Sequence, residues 1–269
     1  MERLTPALSR DDLVAYLDEY LMIEAWEDRS LNGLQVEGDP EIDTVALATD
    51  AALATFEMAA EAGAQLLIVH HGLFWGAPIP ITGAFRSRLA ALLHSQISLY
   101  AAHLPLDAHP EVGNNAVMAR LLGIAERRPF GRLGTATPSA GAPAGRGRTI
   151  GFEGRLPEPV GLATLAGRLE ALLGVRPDVL GFGDREVERV AIVSGDASDL
   201  IPEAAAAGVG AFITGESSHV AWHAAREHRL NVIFAGHYAT ETLGVRALGD
   251  HVAARFGVET IFLDAPTGY

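Results

Sequence analysis

Several histidine and carboxylate side chains of this sequence follow short apolar stretches, where they could together bind metal ions. The candidate ligands are His70, His71, Asp107, His237 and Glu241. Imidazole and carboxylate groups suit divalent Zn, Fe, Mn, Co or Ni rather than soft copper(I). One catalytic ion usually needs only three protein ligands, and both carboxylates here can bridge, so the set predicts two divalent metal ions about 3.5–4 Å apart. The alternative is that these are unrelated polar residues at the ends of strands.

His103 is a further candidate, as a catalytic residue. It precedes Asp107 with three residues between them. His103 could be a metal ligand itself, or it could orient Asp107 or a metal-bound water. As a proton shuttle it would act as a general acid or base, a role that Glu216 could also take.

The element that must position the first two histidines is the apolar run Leu66–Val69, which is typical of a strand buried in a parallel sheet. In open α/β sheets, ligands bind beyond the carboxyl ends of the strands. A turn at Gly72 would allow His70 and His71 to enter the same crevice. The alternative is one buried, hydrogen-bonded histidine and one exposed histidine.

The rest of the chain alternates strands with helices and contains an internal repeat. Strand Val45–Thr49 recurs 145 residues later as Val190–Ser194, and a glycine ends the helix that follows each of them. A second match pairs His103 with His237, and the carboxylates that follow them, 134 residues apart. The pattern predicts an α/β fold of two similar lobes with mostly parallel sheets, and a metal site in the crevice between them.

The predicted domain boundaries follow from a segment rich in Thr, Pro, Ala, Gly and Arg that has no periodicity. Residues 135–148 are this linker, residues 1–134 the first lobe, and residues 149–269 the second lobe. The first three candidate ligands belong to the first lobe, and the last two belong to the second.

Composition excludes several classes of function. The chain has 269 residues and no cysteine, so disulfides, thiolate metal sites and a cysteine nucleophile are excluded. A formal net charge of −14 argues against nucleic acid as a partner. No apolar run approaches the length of a membrane span, and no signal peptide is recognisable at the N-terminus. We expect a soluble, cytoplasmic protein that does not bind membranes.

Six motifs resemble those of a known family, the NIF-three-like dinuclear metal centre proteins, also called GTP cyclohydrolase I type 2 homologues. They are Asn32–Gly38, His70–Trp75, His103–Asp107, Gly113–Asn115, Ile213–Glu216 and Gly236–Glu241. The resemblance extends along nearly the whole chain. The sequence departs from the family pattern at Tyr238, where many members have histidine, and at Asp196, where glycine is usual.

The resemblance implies two α/β lobes with two metal ions between them and a toroidal homohexamer. Matched by motif, the implied metal ligands are the same five residues that the chemistry suggests, and His103 keeps a position near the site. The family label implies a metal-dependent hydrolase that acts on GTP, another nucleotide or a phosphoester. No Gly-rich loop ending in Gly-Lys-Ser or Gly-Lys-Thr is present to hold phosphates. The alternative function is a non-catalytic, ring-shaped metal-binding scaffold or interaction protein.

Overall fold

A computed structural model describes residues 8–133 and 148–268, which form two compact units. The first unit comprises Met1–Leu106 and Val245–Ala265, and the second comprises Asp107–Gly244 and Pro266–Tyr269. These units divide the chain at other residues than the predicted lobes do. Almost all of the predicted linker lies outside the described residues.

The elements up to residue 101 belong to the first unit. They are β1 (Leu8–Ser9), α1 (Arg10–Tyr20), β2 (Gly33–Val36), β3 (Glu41–Ile42), β4 (Thr44–Asp50), α2 (Leu53–Glu61), β5 (Leu66–His71), α3 (Gly83–His94) and β6 (Ser98–Ala101).

The remaining elements run from the boundary of the two units to the end of the chain. They are α4 (Leu104–Ala108), α5 (Asn114–Leu121), β7 (Ala125–Arg132), β8 (Thr149–Gly161), α6 (Leu162–Leu173), β9 (Asp178–Gly181), β10 (Glu186–Ile192), α7 (Ile201–Ala206), β11 (Ala211–Thr214), α8 (His219–Glu227), β12 (Asn231–Phe234), α9 (His237–Phe256) and β13 (Glu259–Phe262).

The main sheet of the first unit has the strand order β13-β4-β5-β6-β2. Strands β13, β4, β5 and β6 are parallel, and β2 closes the edge in the antiparallel direction. Each residue from Leu66 to Val69 is fully buried, which agrees with an apolar strand covered on both faces. Phe56 on α2 and Leu92 on α3 pack in the same core. Burial of β5 therefore fixes the strand whose end carries the two adjacent histidines.

The sheet of the second unit has the strand order β7-β8-β10-β11-β12-β9. Its centre, β10-β11-β12, is parallel and repeats the order β4-β5-β6 of the first unit, as the internal repeat predicts. The outer strands β7, β8 and β9 are antiparallel. Helices α5 and α6 cover one face with residues such as Met118, Leu165 and Leu169. The α/β fold class with mainly parallel sheets is confirmed.

Two edge strands carry little signal in the sequence. Strand β7 was not predicted because it contains three arginines and Pro129, a composition tolerated on an edge strand. Strand β9 is a four-residue edge strand. Helix α9 begins at His237, so His237 and Glu241 lie one turn apart on the same helix. Among the described residues, no helix is long and apolar enough to cross a membrane.

Candidate metal centre

Three histidines of the first unit form a cluster beyond the carboxyl ends of β5 and β6. His70, His71 and His103 each offer a ring nitrogen, and these nitrogens lie within 4.8 Å of one another. The ring centroids of His70 are 4.7 Å from His71 and 5.1 Å from His103. His70 is fully buried. The structure thus brings together both adjacent histidines and His103.

Hydrogen bonds fix the orientation of the adjacent histidines. The Nδ1 of His70 lies 2.9 Å from the carbonyl oxygen of Ala102, and the Nδ1 of His71 lies 2.8 Å from Oδ1 of Asp50. Since a carbonyl and a carboxylate can only accept here, each imidazole donates its Nδ1–H. The lone pair of each ring is then at Nε2. Metal-binding histidines usually donate their other ring nitrogen in this way.

His103 has the same arrangement with a buried carboxylate. Its Nδ1 lies 3.0 Å from both carboxylate oxygens of Asp28. Burial raises the pKa of Asp28, but the hydrogen bond and charge of His103, with donors from Asn32 and Ser30, outweigh it and lower that pKa to about 2. The ring of Trp75 packs edge-on against His103 at 4.9 Å between centroids. These contacts hold His103 in one orientation and one tautomer.

In the second unit, His237 and Glu241 are adjacent on the first turn of α9. The Nε2 of His237 lies 3.1 Å from Oε2 of Glu241, and its Nδ1 lies 2.8 Å from Oε2 of Glu216. Hydrogen bonding to Glu241 raises the pKa of His237, burial opposes this, and Glu216 adds to it, so that the pKa reaches about 9. A cation bound at this Nε2 would have to displace that proton.

The absence of a side chain at Gly195 leaves the space that the carboxylate of Glu241 occupies. Gly195 follows β10 and has a φ of +66°, a backbone conformation that other residues rarely adopt. A Cβ atom at this position would collide with the Glu241 carboxylate. The amide of Gly195 also donates to Oγ1 of Thr240 at 3.2 Å. The strand end and the helix start can therefore approach only because residue 195 has no side chain.

Asp107 is buried at the end of α4, with 5% of its surface exposed. Its Oδ1 accepts hydrogen bonds from Nδ2 of Asn114 and from Oγ of Ser194, both at 2.9 Å. Asn114 in turn accepts from the amide of Gly244. Two donors thus fix the rotamer of a carboxylate that was predicted to bridge metal ions.

Each predicted site residue therefore has a defined place in its own unit. All four histidines considered above have Nδ1 bonded to a carbonyl or a carboxylate, so their chemistry fits divalent cations. Glu216, which the sequence offers as an alternative proton shuttle to His103, lies with its Oε2 2.8 Å from Nδ1 of His237. Sequence reasoning missed the orienting residues Asp28, Asp50, Asn114 and Ser194. Two of them carry a usable signal: Asp50 ends the strand that neighbours β5, and Asn114 belongs to the motif Gly113–Asn115.

Comparison with known proteins identifies the family of the chain. The sequence model of Duf34/NIF3 (NGG1p interacting factor 3) matches residues 8–268. The chain is 46% identical to a GTP cyclohydrolase 1 type 2 homolog of Deinococcus radiodurans, over 97% of this chain and 95% of the relative. A homolog of the same name from Pyrococcus abyssi is 45% identical over 97% of this chain and all of its own length, 100%.

Solved structures agree with this relationship. TTHA1606 from Thermus thermophilus matches with a TM-score of 0.87 and 46% identity, over 97% of this chain and 100% of that one. The protein ybgI, described as of unknown function, matches with a TM-score of 0.87 and 39% identity, over 97% and 100% of the two chains. The chain belongs to the Duf34/NIF3 family.

Proposed function

We propose that this protein is a metal-dependent hydrolase with a dinuclear centre. The ligands would be His70, His71, Asp107, His237 and Glu241. The observation that carries the proposal is the Nδ1 hydrogen bonding of the histidines, because metal-binding histidines usually donate their other ring nitrogen to a carbonyl or a carboxylate in this way. Two carboxylates among the ligands support two ions instead of one.

In this proposal some residues would bind the metal ions, and His103 would transfer protons. Bound divalent cations would supply Lewis-acid chemistry and a lowered pKa of bound water. His103, held by Asp28 at Nδ1, can accept a proton at Nε2 and donate it later. Asp50 and Glu216 would keep their histidine partners oriented.

A nucleotide or another phosphoester is the substrate class to test first, since the Deinococcus and Pyrococcus relatives are called GTP cyclohydrolase 1 type 2 homologs. The sequence has no lysine. Phosphate groups of such a substrate would therefore bind to arginine, to backbone N–H groups or to the metal ions.

The test measures metal content and turnover on untagged protein purified without added metal. We expect about two ions per chain and hydrolysis of GTP or of an aryl phosphodiester. His71→Ala and Asp107→Ala should each lose the bound metal and the hydrolytic activity. His103→Ala should keep the metal and lose turnover. His94→Ala changes an exposed histidine of α3 and should change neither.

Two results would overturn the proposal. Absence of bound metal after titration with Zn, Mn and Fe(II) would refute the centre. Full metal content without turnover of any substrate would favour a binding protein or scaffold. Light scattering on the same preparation would test the homohexamer implied by the family resemblance.

A further inference from the structure

The second unit contains a small polar cleft outside the candidate metal centre. The cleft has a volume of about 270 Å³ and is lined by Glu126, Arg128, Gly154, Arg155 and Arg189. Arg189 precedes Gly195 by six residues, which corresponds to roughly 20 Å of extended chain. The cleft is thus separate from the carboxylate and histidine of α9.

Two of the arginines lie opposite each other on neighbouring strands, where their like charges repel. Arg155 on β8 and Arg189 on β10 are direct partners in the antiparallel register. Like charges at such positions destabilise a sheet. Arg155 lies 2.7 Å from Glu188 and 3.9 Å from Glu126, and Arg189 lies 2.9 Å from Glu153. These ion pairs hold both guanidinium groups at the cleft.

The third arginine has no such partner. Arg128 on β7 lies opposite Glu153 in the sheet register, but that carboxylate is paired with Arg189. Among residues 8–133 and 148–268, no acid forms a salt bridge with Arg128. Its guanidinium is therefore available to an anion from solution, whereas acids pair with the other two arginines of the cleft, Arg155 and Arg189.

The backbone around the cleft is adapted to this arrangement. The register of β7 against β8 shifts between Ala125 and Arg128. Glu126 within this bulge has a φ of +51°, which is uncommon for a residue with a side chain. A Cβ atom on Gly154 would collide with the carbonyl oxygen of Ala125 and with Ile124. Glycine at residue 154 thus lets the two strands approach at the base of the cleft.

We propose that this cleft binds a small phosphate-bearing molecule. Guanidinium groups match the geometry of phosphate oxygens, and three of them converge here in a chain whose net charge is −14. Glu126 disfavours a second phosphate and can accept a hydrogen bond from a ligand hydroxyl. The volume suits a phosphomonoester of a sugar better than a larger ligand. The negative charge of the whole chain argues against a polynucleotide.

The test is calorimetric titration of the full chain with inorganic phosphate and with ribose 5-phosphate, with and without a chelator to separate binding at metal ions. We expect Arg128→Gln to weaken binding by roughly tenfold or more, as for loss of one charge-assisted hydrogen bond. Arg168→Gln is the control, because Arg168 on α6 is paired with Glu158 on β8 and does not line the cleft. Both variants change exposed or half-exposed side chains, and circular dichroism will verify their fold.

A second variant should change the affinity for phosphate in the opposite direction. Glu126→Gln removes the acid of the cleft while keeping the shape of the side chain, and should tighten phosphate binding. Equal affinities for Arg128→Gln and Arg168→Gln would refute the proposal. It would also be refuted by no binding of either ligand at millimolar concentration, or by a polynucleotide that binds more tightly than ribose 5-phosphate.

Discussion

His71 and Asp50 are directly paired in the register of two neighbouring parallel strands, and the Nδ1 of the imidazole lies 2.8 Å from Oδ1 of the carboxylate. Both residues end their strands. The sheet itself therefore supplies the geometry of the contact, with no contribution from a loop. A histidine oriented by a strand-end carboxylate is held more rigidly than one on a loop.

Removal of this carboxylate should weaken metal binding without disturbing the fold. We expect Asp50→Ala to lower metal affinity by about 10–100-fold, because orienting partners of histidine ligands typically contribute that much. Glu57→Ala removes the same charge from an exposed position on α2 and is the control. Competition with a chromophoric chelator measures both affinities. Equal affinities would show that Asp50 does not act through His71.

The glycine beside Glu241 offers a sharper test. Gly195→Ala and Gly208→Ala both place a side chain at positive φ, +66° and +69°, which costs about 1–2 kcal/mol of stability. Only at residue 195 does the new Cβ collide with Glu241, since nothing lies within 4 Å of a Cβ at residue 208. We expect both variants to be destabilised, and Gly195→Ala alone to lose metal.

Elemental analysis and urea unfolding distinguish these two effects. If both variants keep their metal, Glu241 is either not a ligand or can move freely away from residue 195. If Gly208→Ala also loses metal, the loss reflects general destabilisation.

The sequence predicts the buried strands well because their signal is local. Leu66–Val69 is a continuous apolar run whatever its neighbours are, and it lies within strand β5, Leu66–His71. The first residue of α9 is harder to predict from the sequence. His237 follows an apolar stretch in the sequence, but in the structure it is the first residue of the helix, after a turn at Gly236 with a φ of +90°.

Orienting residues could not be predicted for a different reason. Asp28 lies 75 residues before His103, and Ser194 lies 87 residues after Asp107, so each pair meets only after the chain has folded. No period or spacing marks these residues. Tertiary structure alone identifies which polar side chain is the partner of a given ligand.

The buried amide of Asn114 links Asp107 to the backbone of α9. Asn114→Ala would leave the amide of Gly244 and the carboxylate of Asp107 each without this partner, so we expect a loss of about 2–4 kcal/mol of stability and of metal binding. Asn231 is a comparable buried amide, bonded to Gly183 and Gly210. Asn231→Ala should reduce stability similarly but leave metal binding intact. Equal metal loss in both variants would contradict a specific role for Asn114.

The Asp28–His103 contact predicts how stability depends on pH in chelator-treated protein. The pKa of Asp28 falls from 3.8 to about 2 on folding, and its side chain is only 3% exposed. A depressed pKa stabilises the folded state above pH 4, and this contribution disappears as pH falls toward 2. This contribution to the free energy of unfolding is about 2 kcal/mol. Asp28→Asn should therefore be less stable than the wild type by this amount at pH 7, and the gap should close on acidification.

Urea unfolding between pH 7 and pH 3 measures this gap, and Asp18 provides a control of opposite sign. Burial raises the pKa of Asp18, although a hydrogen bond from Tyr100 opposes it. Ionised Asp18 therefore costs stability, and the cost appears as pH rises above 3.8. Asp18→Asn should gain stability relative to the wild type as pH rises, whereas Asp28→Asn should lose it. The same pH trend in both variants would mean that the contact between Asp28 and His103 does not lower the pKa of the carboxylate.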